Sequence, residues 1–344
     1  MRLLILEFIT GGGMIDTQLP EDLLAEGQLM LDAIVSDMLE LEHIELMVLR
    51  DARLSKPVFK GQHHNHHCTF VTAAQGFQAV WLQVIQQVDA VLPIAPETMG
   101  VLTGLCVDVE SAGKLLLNSS SHAVGLTSSK LETYRLLQGA GIPVIHTEQL
   151  NDALNISPPW VIKPDDGVGC DNVVVIDDRQ ALNGFIEASI MDDIDEVDVL
   201  IIQPWVVGQA ASLSVIFNEN NALLLTYNKQ LIEVKQGRVC LNACQVGEET
   251  RHWEFYQSLI TRIAEYFPGL KGYVGIDIIE TEDGPVVVEI NPRLTTSYAG
   301  IHKALGINPA QLILQSFEAE SITYTTISMD SIKSVCVDLN TFHA

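Results

Sequence analysis

Gly272–Leu294 reads GYVGIDIIETEDGPVVVEINPRL, and the reading of this stretch decides the fold. Asp277 sits in an apolar, strand-like run, Gly275-Ile276-Asp277-Ile278-Ile279. A second strand, Val286–Leu294 (VVVEINPRL), carries Glu289, Asn291 and Arg293. Between the runs lies Asp283-Gly284, a strong hairpin signal, so the strands are expected to be antiparallel neighbours. Glu289 and Asn291 are two apart and share one sheet face. A carboxylate from each strand with an amide oxygen forms a hard-oxygen set suited to Mg²⁺. Unpaired charges on buried strands are costly, so this clustering needs a reason. It is either a metal site or an internal salt bridge from Arg293 to a carboxylate.

Outward toward the N-terminus come two spaced lysines. Pro159–Lys163 (PWVIK) is strand-like and leads into a glycine-containing loop, Asp165–Asp171 (DDGVGCD). A lysine at a strand end beside such a loop is placed to meet a polyphosphate, and Gly167 and Gly169 let backbone N–H groups approach its oxygens. Ser129 is a candidate N-cap for a helix over Lys130–Gln138, closed by Gly139 and Gly141. Taken singly, each lysine also reads as a solvated cation. Val173–Ile176 is another strand, and the acidic Asp192–Asp198 stretch reads as a solvated loop. From Val199 the pattern is strand-rich: VLIIQPW, ASLSVIF and ALLLTYN. A helix near His252–Phe267 follows, before the decisive hairpin.

The first 120 residues read differently. Arg2–Phe8, Ile44–Leu49, Asp89–Ile94 and Lys114–Leu117 are short apolar runs. Between them lie helical patterns over about Pro20–Leu41, Gly76–Val88 and Thr98–Gly113. Such alternation predicts an open parallel sheet. Thr10–Gly13 follows its first strand, where such sheets often contact small ligands, though it reads first as a plain turn. His63-His64-Asn65-His66-His67-Cys68 is rich in metal-ligand types, yet reads first as a polar surface loop. Cys240 and Cys244 lack companion ligands and read as structural. No Cys-x-x-Cys pair occurs, and the expectation is reduced thiols in a cytoplasmic protein.

The order of these features adds to their meaning. Lys130, Lys163, the glycine loop, Gln203-Pro204-Trp205 and then Asp277, Glu289, Asn291 and Arg293 resemble the ATP-grasp superfamily over roughly residues 120–315. The resemblance implies an α/β chain with an α+β C-terminal part. A parallel-sheet domain over 1–120 would precede a central lobe over 121–200 and a C-terminal lobe over 201–344, the last two clasping ATP. It further implies that Lys130, Lys163, Gly167 and Gly169 meet ATP, with Gln203, Pro204, Trp205 and Val206 forming the adenine hinge. Asp277, Glu289 and Asn291 would hold two Mg²⁺ or Mn²⁺ ions, and Arg293 and Lys163 would serve the reacting phosphoryl group.

Ala211–Ser214, Tyr227–Gln230 and EINPRLTTS (Glu289–Ser297) are similar to the tyramine–glutamate ligases of methanofuran biosynthesis, as is the EFITGGG opening. The glycine loop departs from that group in having fewer glycines. This closer resemblance implies glutamate and an amine as substrates, met by Ser212, Asn228, Gln230, Arg293, Thr295 and Thr296, with Ser297 and Tyr298 facing the same ligands. It also implies a small-molecule ligase that is allowed a homodimer. The alternatives are a ligase for another amino-acid pair and an ATP-binding regulator without turnover.

Composition bounds the partners. The chain has 19 Lys and Arg against 44 Asp and Glu, a net charge of −25, which argues against nucleic acid and anionic membranes. Hydrophobic residues at 47% of the 344 suffice for several cores without disulfides. No apolar run is long enough to predict a membrane span.

Overall fold

Arg2–Glu7 (β1) is buried along all but its first residue and lies in the middle of a parallel sheet. The computed structural model describes residues 1–59, 66–150, 155–169, 172–191, 200–219, 221–318, 327 and 331–339. The other strands of this sheet are β2 (Glu45–Asp51), β3 (His66–Val71), β4 (Ala90–Ile94) and β5 (Leu115–Leu116), in the order β3-β2-β1-β4-β5. Side chains alternate along β1 with period two. Leu3 and Ile5 pack with α1 (Glu21–Leu39) through Leu31, Ile34, Val35 and Met38. Leu4 and Leu6 pack on the other face with α2 (Phe77–Ile85) and α3 (Val101–Ser111). The strand order reverses between β1 and β4, so the segments leaving their carboxyl ends flank the crevice where open α/β sheets take ligands.

Two expectations for this domain change. The described half of the histidine cluster is not a loop: His66–Val71 adds an edge strand in register with Leu46–Asp51. His67 meets Glu45 at 3.4 Å, while His63 and His64 fall outside the described residues. The serine cluster ends in an unanticipated helix, α4 (Ser121–Ser128), whose first turn is capped when Ser120 Oγ accepts from the Ala123 N–H at 3.2 Å.

The expected cap at Ser129 forms: its hydroxyl oxygen accepts from the Glu132 N–H and starts α5 (Lys130–Gly139). Beyond it lies a mainly antiparallel sheet. Its strands are β6 (Glu148–Gln149), β7 (Trp160–Pro164), β8 (Val174–Ile176), β9 (Leu200–Pro204), β10 (Gln209–Asn218), β11 (Asn221–Lys235) and β12 (Arg238–Val246). β13 (Gly272–Thr281), β14 (Gly284–Asn291) and β15 (Val335–Asp338) complete it. The order runs β14-β13-β10-β11-β12-β8-β7-β9-β6, with β15 on β12.

The β12–β8 junction is narrow, pairing Arg238 with Val174, and it divides the sheet into a large and a small half. The small half carries α6 (Arg179–Met191) and its own core of Leu150, Trp160, Ile162, Ile176, Leu182 and Ile202. The large half packs α7 (Trp253–Tyr266) against β10, β11 and β13. On its other face, α8 (Tyr298–Leu305) and α9 (Pro309–Glu318) join the core of α1. The acidic Asp192–Asp198 stretch lies outside the described residues.

Candidate active site

The hairpin signal holds: β13 and β14 are antiparallel, with Asp277 opposite Glu289 and Gly275 opposite Asn291. The pairing shifts register just past Asp277, skipping Val288 on β14. Asp277, Glu289 and Asn291 therefore line one cleft of about 1370 Å³ between the two halves of the sheet and the N-terminal domain.

Within it the charges are organised around Glu289. Lys163 Nζ donates to Glu289 Oε2 at 3.4 Å, and Lys130 Nζ lies 3.6 Å from the same oxygen. Burial pushes the Glu289 carboxyl up, but the two lysines outweigh it and hold the group well below the usual carboxylate range. Burial, reinforced by the charge of Glu289, pushes Asp277 the other way. Burial pulls Lys163 down, partly offset by Glu289. Gln230 Nε2 donates to one Asp277 oxygen at 3.0 Å and Asn291 Nδ2 to the other at 3.1 Å. The Asn291 amide oxygen thus stays available beside two carboxylates. That donor set fits a hard divalent cation, which is commonly held by one or two carboxylates together with phosphate oxygens.

Lys130 is as buried as Lys163 but, unlike it, does not line the cleft. Its Nζ donates to the carbonyl oxygens of Asp165 at 3.2 Å and Gly167 at 2.6 Å, so it fixes the root of the glycine loop. Asp165 accepts in turn from the Leu131 N–H at 2.8 Å. Gly169, at φ +59, lines the cleft; Gly167 does not and lies against Pro164, and Cys170 and Asp171 lie outside the described residues. Gln203, Pro204, Trp205 and Val206 all line the cleft. The Gln203 side chain is buried and donates to Thr147 Oγ1 at 2.9 Å.

At the far end Arg293, Thr295, Thr296 and Ser297 form the wall. Arg293 is paired with a carboxylate, but from outside the hairpin: its Nε donates to Glu97 Oε1 and Oε2 at 3.0 and 2.9 Å. Burial alone would lower this guanidinium's pKa, yet Glu97 raises it above its ordinary value. A hydroxyl network backs the wall. The Tyr273 hydroxyl donates to Ser214 Oγ at 3.0 Å and lies 2.9 Å from Thr295 Oγ1, which is 2.9 Å from Ser297 Oγ. The Thr296 hydroxyl donates to Glu26 on α1.

Two expected substrate contacts are corrected. Tyr298 does not face the cleft: its ring packs edge-on against Tyr273, and its hydroxyl donates to Asp37 at 2.9 Å. It opens a helix whose apolar side must join the core, which turns the ring inward. Asn228 is fully buried and spans Ser212 and Ser214, donating at 3.2 and 3.0 Å, so it supports the cleft floor and does not line it. Ser212 and Gln230 do line it.

Cys240 and Cys244 both reach the cleft wall from β12, although the strand's register slips at Asn242 between them. Burial pushes the Cys244 thiol up to about 12, so it stays protonated. Thr10–Gly13 is a tight turn against Val71, and it is Glu7 and Ile9 beside it that reach the cleft. The residues that sequence reasoning missed are Glu7, Glu26 and Glu97. Glu97 carried a usable signal, a charged residue just past the carboxyl end of a parallel strand.

Comparison with known proteins follows the same division. The pre ATP-grasp 3 domain matches residues 44–124 and the ATP-grasp domain matches residues 127–297. Tyramine–L-glutamate ligase of Methanocaldococcus jannaschii is 24% identical over 328 residues, 94% of this chain and 91% of that protein. A crystal structure described as an ATP-grasp superfamily protein, from Archaeoglobus fulgidus, aligns with a TM-score of 0.68 at 22% identity, covering 98% of this chain and 99% of that one. The biotin carboxylase domain of Hydrogenobacter thermophilus 2-oxoglutarate carboxylase, solved with MgADP, ADP and bicarbonate, aligns with a TM-score of 0.70 at 12% identity. It covers 97% of this chain and 72% of that one. Both structural likenesses establish the fold.

Proposed function

The chain belongs to the ATP-grasp superfamily, and from that premise we propose that it is an ATP-dependent carboxylate–amine ligase joining L-glutamate to tyramine or a related amine. The observation that carries the ligase reading is the convergence of Asp277, Glu289, Asn291, Lys163 and Arg293 on one cleft. The substrate assignment is supported by the near full-length similarity to tyramine–L-glutamate ligase. No helix among the described residues is long and apolar enough to cross a membrane.

In this reading ATP lies between the two halves of the large sheet, with its base against Gln203–Val206 and its phosphates toward Lys163 and the glycine loop. Asp277, Glu289 and Asn291 would hold Mg²⁺ or Mn²⁺, which when bound neutralises phosphate charge. A glutamate carboxylate oxygen attacks the γ-phosphorus, the bond to the β,γ-bridging oxygen breaks, and ADP leaves. Lys163 and Arg293 stabilise the charge on the transferring group from fixed positions. The amine nitrogen then attacks the acyl carbon and expels phosphate, forming the amide. Thr295, Thr296 and Ser297 line the acceptor side. Val168 and Gly169 of the glycine loop line the cleft, where they would help exclude water that hydrolyses the acyl phosphate.

The test is ADP release from ATP and L-glutamate with amines added singly. The expected result is strong dependence on the amine, with tyramine ahead of ammonia. A buried ring is worth roughly 1.5–3 kcal/mol over an amine without one. Equal rates with ammonia, or with a second glutamate, would remove tyramine and leave the ligase. No release with any amine, despite tight ATP binding, would remove the ligase.

A further inference from the structure

Glu97 comes from the N-terminal domain, yet its carboxylate ends on a side chain of the C-terminal lobe. It leaves the carboxyl end of β4 through Ala95 and Pro96, which line the cleft at the point where the strand order reverses. Both of its oxygens accept from Arg293 Nε, at 3.0 and 2.9 Å, and its side chain is 5% exposed. Arg293 Nη1 donates to the Leu294 carbonyl oxygen at 3.1 Å. Two of the three guanidinium nitrogens are therefore committed, and the plane of the group is set. Among the described residues Nη2 has no protein partner, and Arg293 lines the cleft. Nη2 is thus the nitrogen left to donate to a bound anion.

The same turn reaches the central lobe. Next to Glu97, the Thr98 hydroxyl donates to the Asp166 carbonyl oxygen at 3.1 Å. The Met99 N–H donates to Asp166 Oδ2 at 2.7 Å. Met99 adopts φ +55 although it is not glycine and its side chain is almost wholly exposed. A non-glycine residue keeps that conformation where its surroundings hold it, and here the holder is Asp166. Asp166 is the second residue of the glycine loop, whose root is also gripped by Lys130. One short turn therefore connects the Arg293 guanidinium to the loop expected to cover the phosphates.

We propose that Glu97 is a positioning residue: it holds the Arg293 guanidinium, through Nε, in the orientation that presents Nη2 to the transferring phosphoryl group. This rests on the ligase reading above. A group that must meet charge developing in the transition state loses much of its effect when displaced by about 1 Å, on the order of 100-fold in rate. Glu97 touches neither substrate in this account, so its loss should be felt in kcat through Arg293 and not in ATP affinity.

The experiment compares Glu97→Gln, Glu97→Asp, Arg293→Met and the double variant Glu97→Gln/Arg293→Met in ADP release with glutamate and tyramine. ATP binding is measured separately by calorimetry. Glu97→Gln is expected to lower kcat by roughly 100-fold with ATP affinity near the wild-type value. Glu97→Asp is expected to recover part of that loss. In the Arg293→Met background, Glu97→Gln should cost nothing further, because residues acting as one unit are not additive. Should Glu97→Gln alone fail to bind ATP, the double variant, which buries no unpaired charge, is compared with Arg293→Met. Equal rates support the proposal and a further loss overturns it. Near wild-type kcat in Glu97→Gln, or additive losses in the double variant, would also overturn it. Absence of amine-dependent ADP release by the wild-type protein would overturn the ligase reading and this inference together. Normal wild-type turnover with an unaffected Glu97→Gln would overturn this inference alone.

Discussion

Glu289 is shared by two lysines, and that sharing sets what its replacement does. Lys163 and Lys130 both lie within 3.6 Å of one of its oxygens, and all three side chains are largely buried. Glu289→Gln keeps the shape and removes the charge. Two cations then remain close together without the carboxylate they share, and breaking a buried pair in this way costs about 3 kcal/mol. The variant is expected to unfold at lower urea and to lose nearly all ADP release at millimolar Mg²⁺. Stability and turnover are both checked, because a purely catalytic role would leave the urea midpoint in place. Wild-type turnover in this variant would remove Glu289 from the site.

α1 shows how an element's local preference is overruled by its neighbour. Gly27 lies inside this helix, where replacement by alanine ordinarily gains about 1 kcal/mol. A Cβ added at Gly27 would stand 2.6 Å from the Glu7 carboxylate. That carboxylate cannot simply swing aside, since it accepts from the Ile9 and Thr10 N–H groups at 3.1 and 2.7 Å. Overpacking of this kind typically costs 1–3 kcal/mol, so Gly27→Ala is expected to be destabilising by roughly 1–2 kcal/mol in urea unfolding. A stabilised variant would mean that Glu7 is free to leave its place at the cleft. The sequence pattern for α1 gave its extent to within about two residues, because apolar spacing is local information. The role of Gly27 was not legible there, since Glu7 is twenty positions away along the chain.

At the scale of the whole molecule the small half of the large sheet is the weakly attached part. Its core is a handful of side chains around Trp160 and Ile162, and the sheet joins it to the rest at Arg238 and Val174. Contacts across the cleft, including Lys163 with Glu289 and Thr98 with Asp166, complete the attachment. Amides of β7 and β9 are therefore expected to exchange with solvent through smaller openings than those of β10 and β13. ATP with Mg²⁺, bridging both halves, should slow exchange in β7 and β9. At a hundredfold excess over Kd the gain is bounded near ~2.7 kcal/mol. Hydrogen exchange read by mass spectrometry checks this, and equal protection with and without nucleotide would argue against ATP lying between the halves.

Much of this organisation is local and was legible in the chain. The antiparallel hairpin of β13 and β14 follows from an Asp-Gly signal between two apolar runs, but the pairing of Asp277 with Glu289 does not: the register set at the turn would place Asp277 opposite Val288, and the irregularity just past Asp277 brings Glu289 there instead. The alternation of strands and helices over the first 120 residues predicts the parallel sheet, and the Ser129 cap predicts α5 to within a residue. What stayed hidden depends on contacts between distant segments. β3 carries histidines in an edge strand, where one side faces water and the apolar signal fades. Tyr298 follows the cleft residue Ser297 in sequence, yet its helix turns the ring into the interior; Asn228 shares a strand face with Gln230 but is buried against Ser212 and Ser214. The partner of Arg293 illustrates the limit most directly. That a buried guanidinium needs a carboxylate is a matter of elementary electrostatics, readable from one residue. That the carboxylate is Glu97, 196 positions earlier, was decided only when the N-terminal sheet packed its carboxyl edge against the C-terminal lobe.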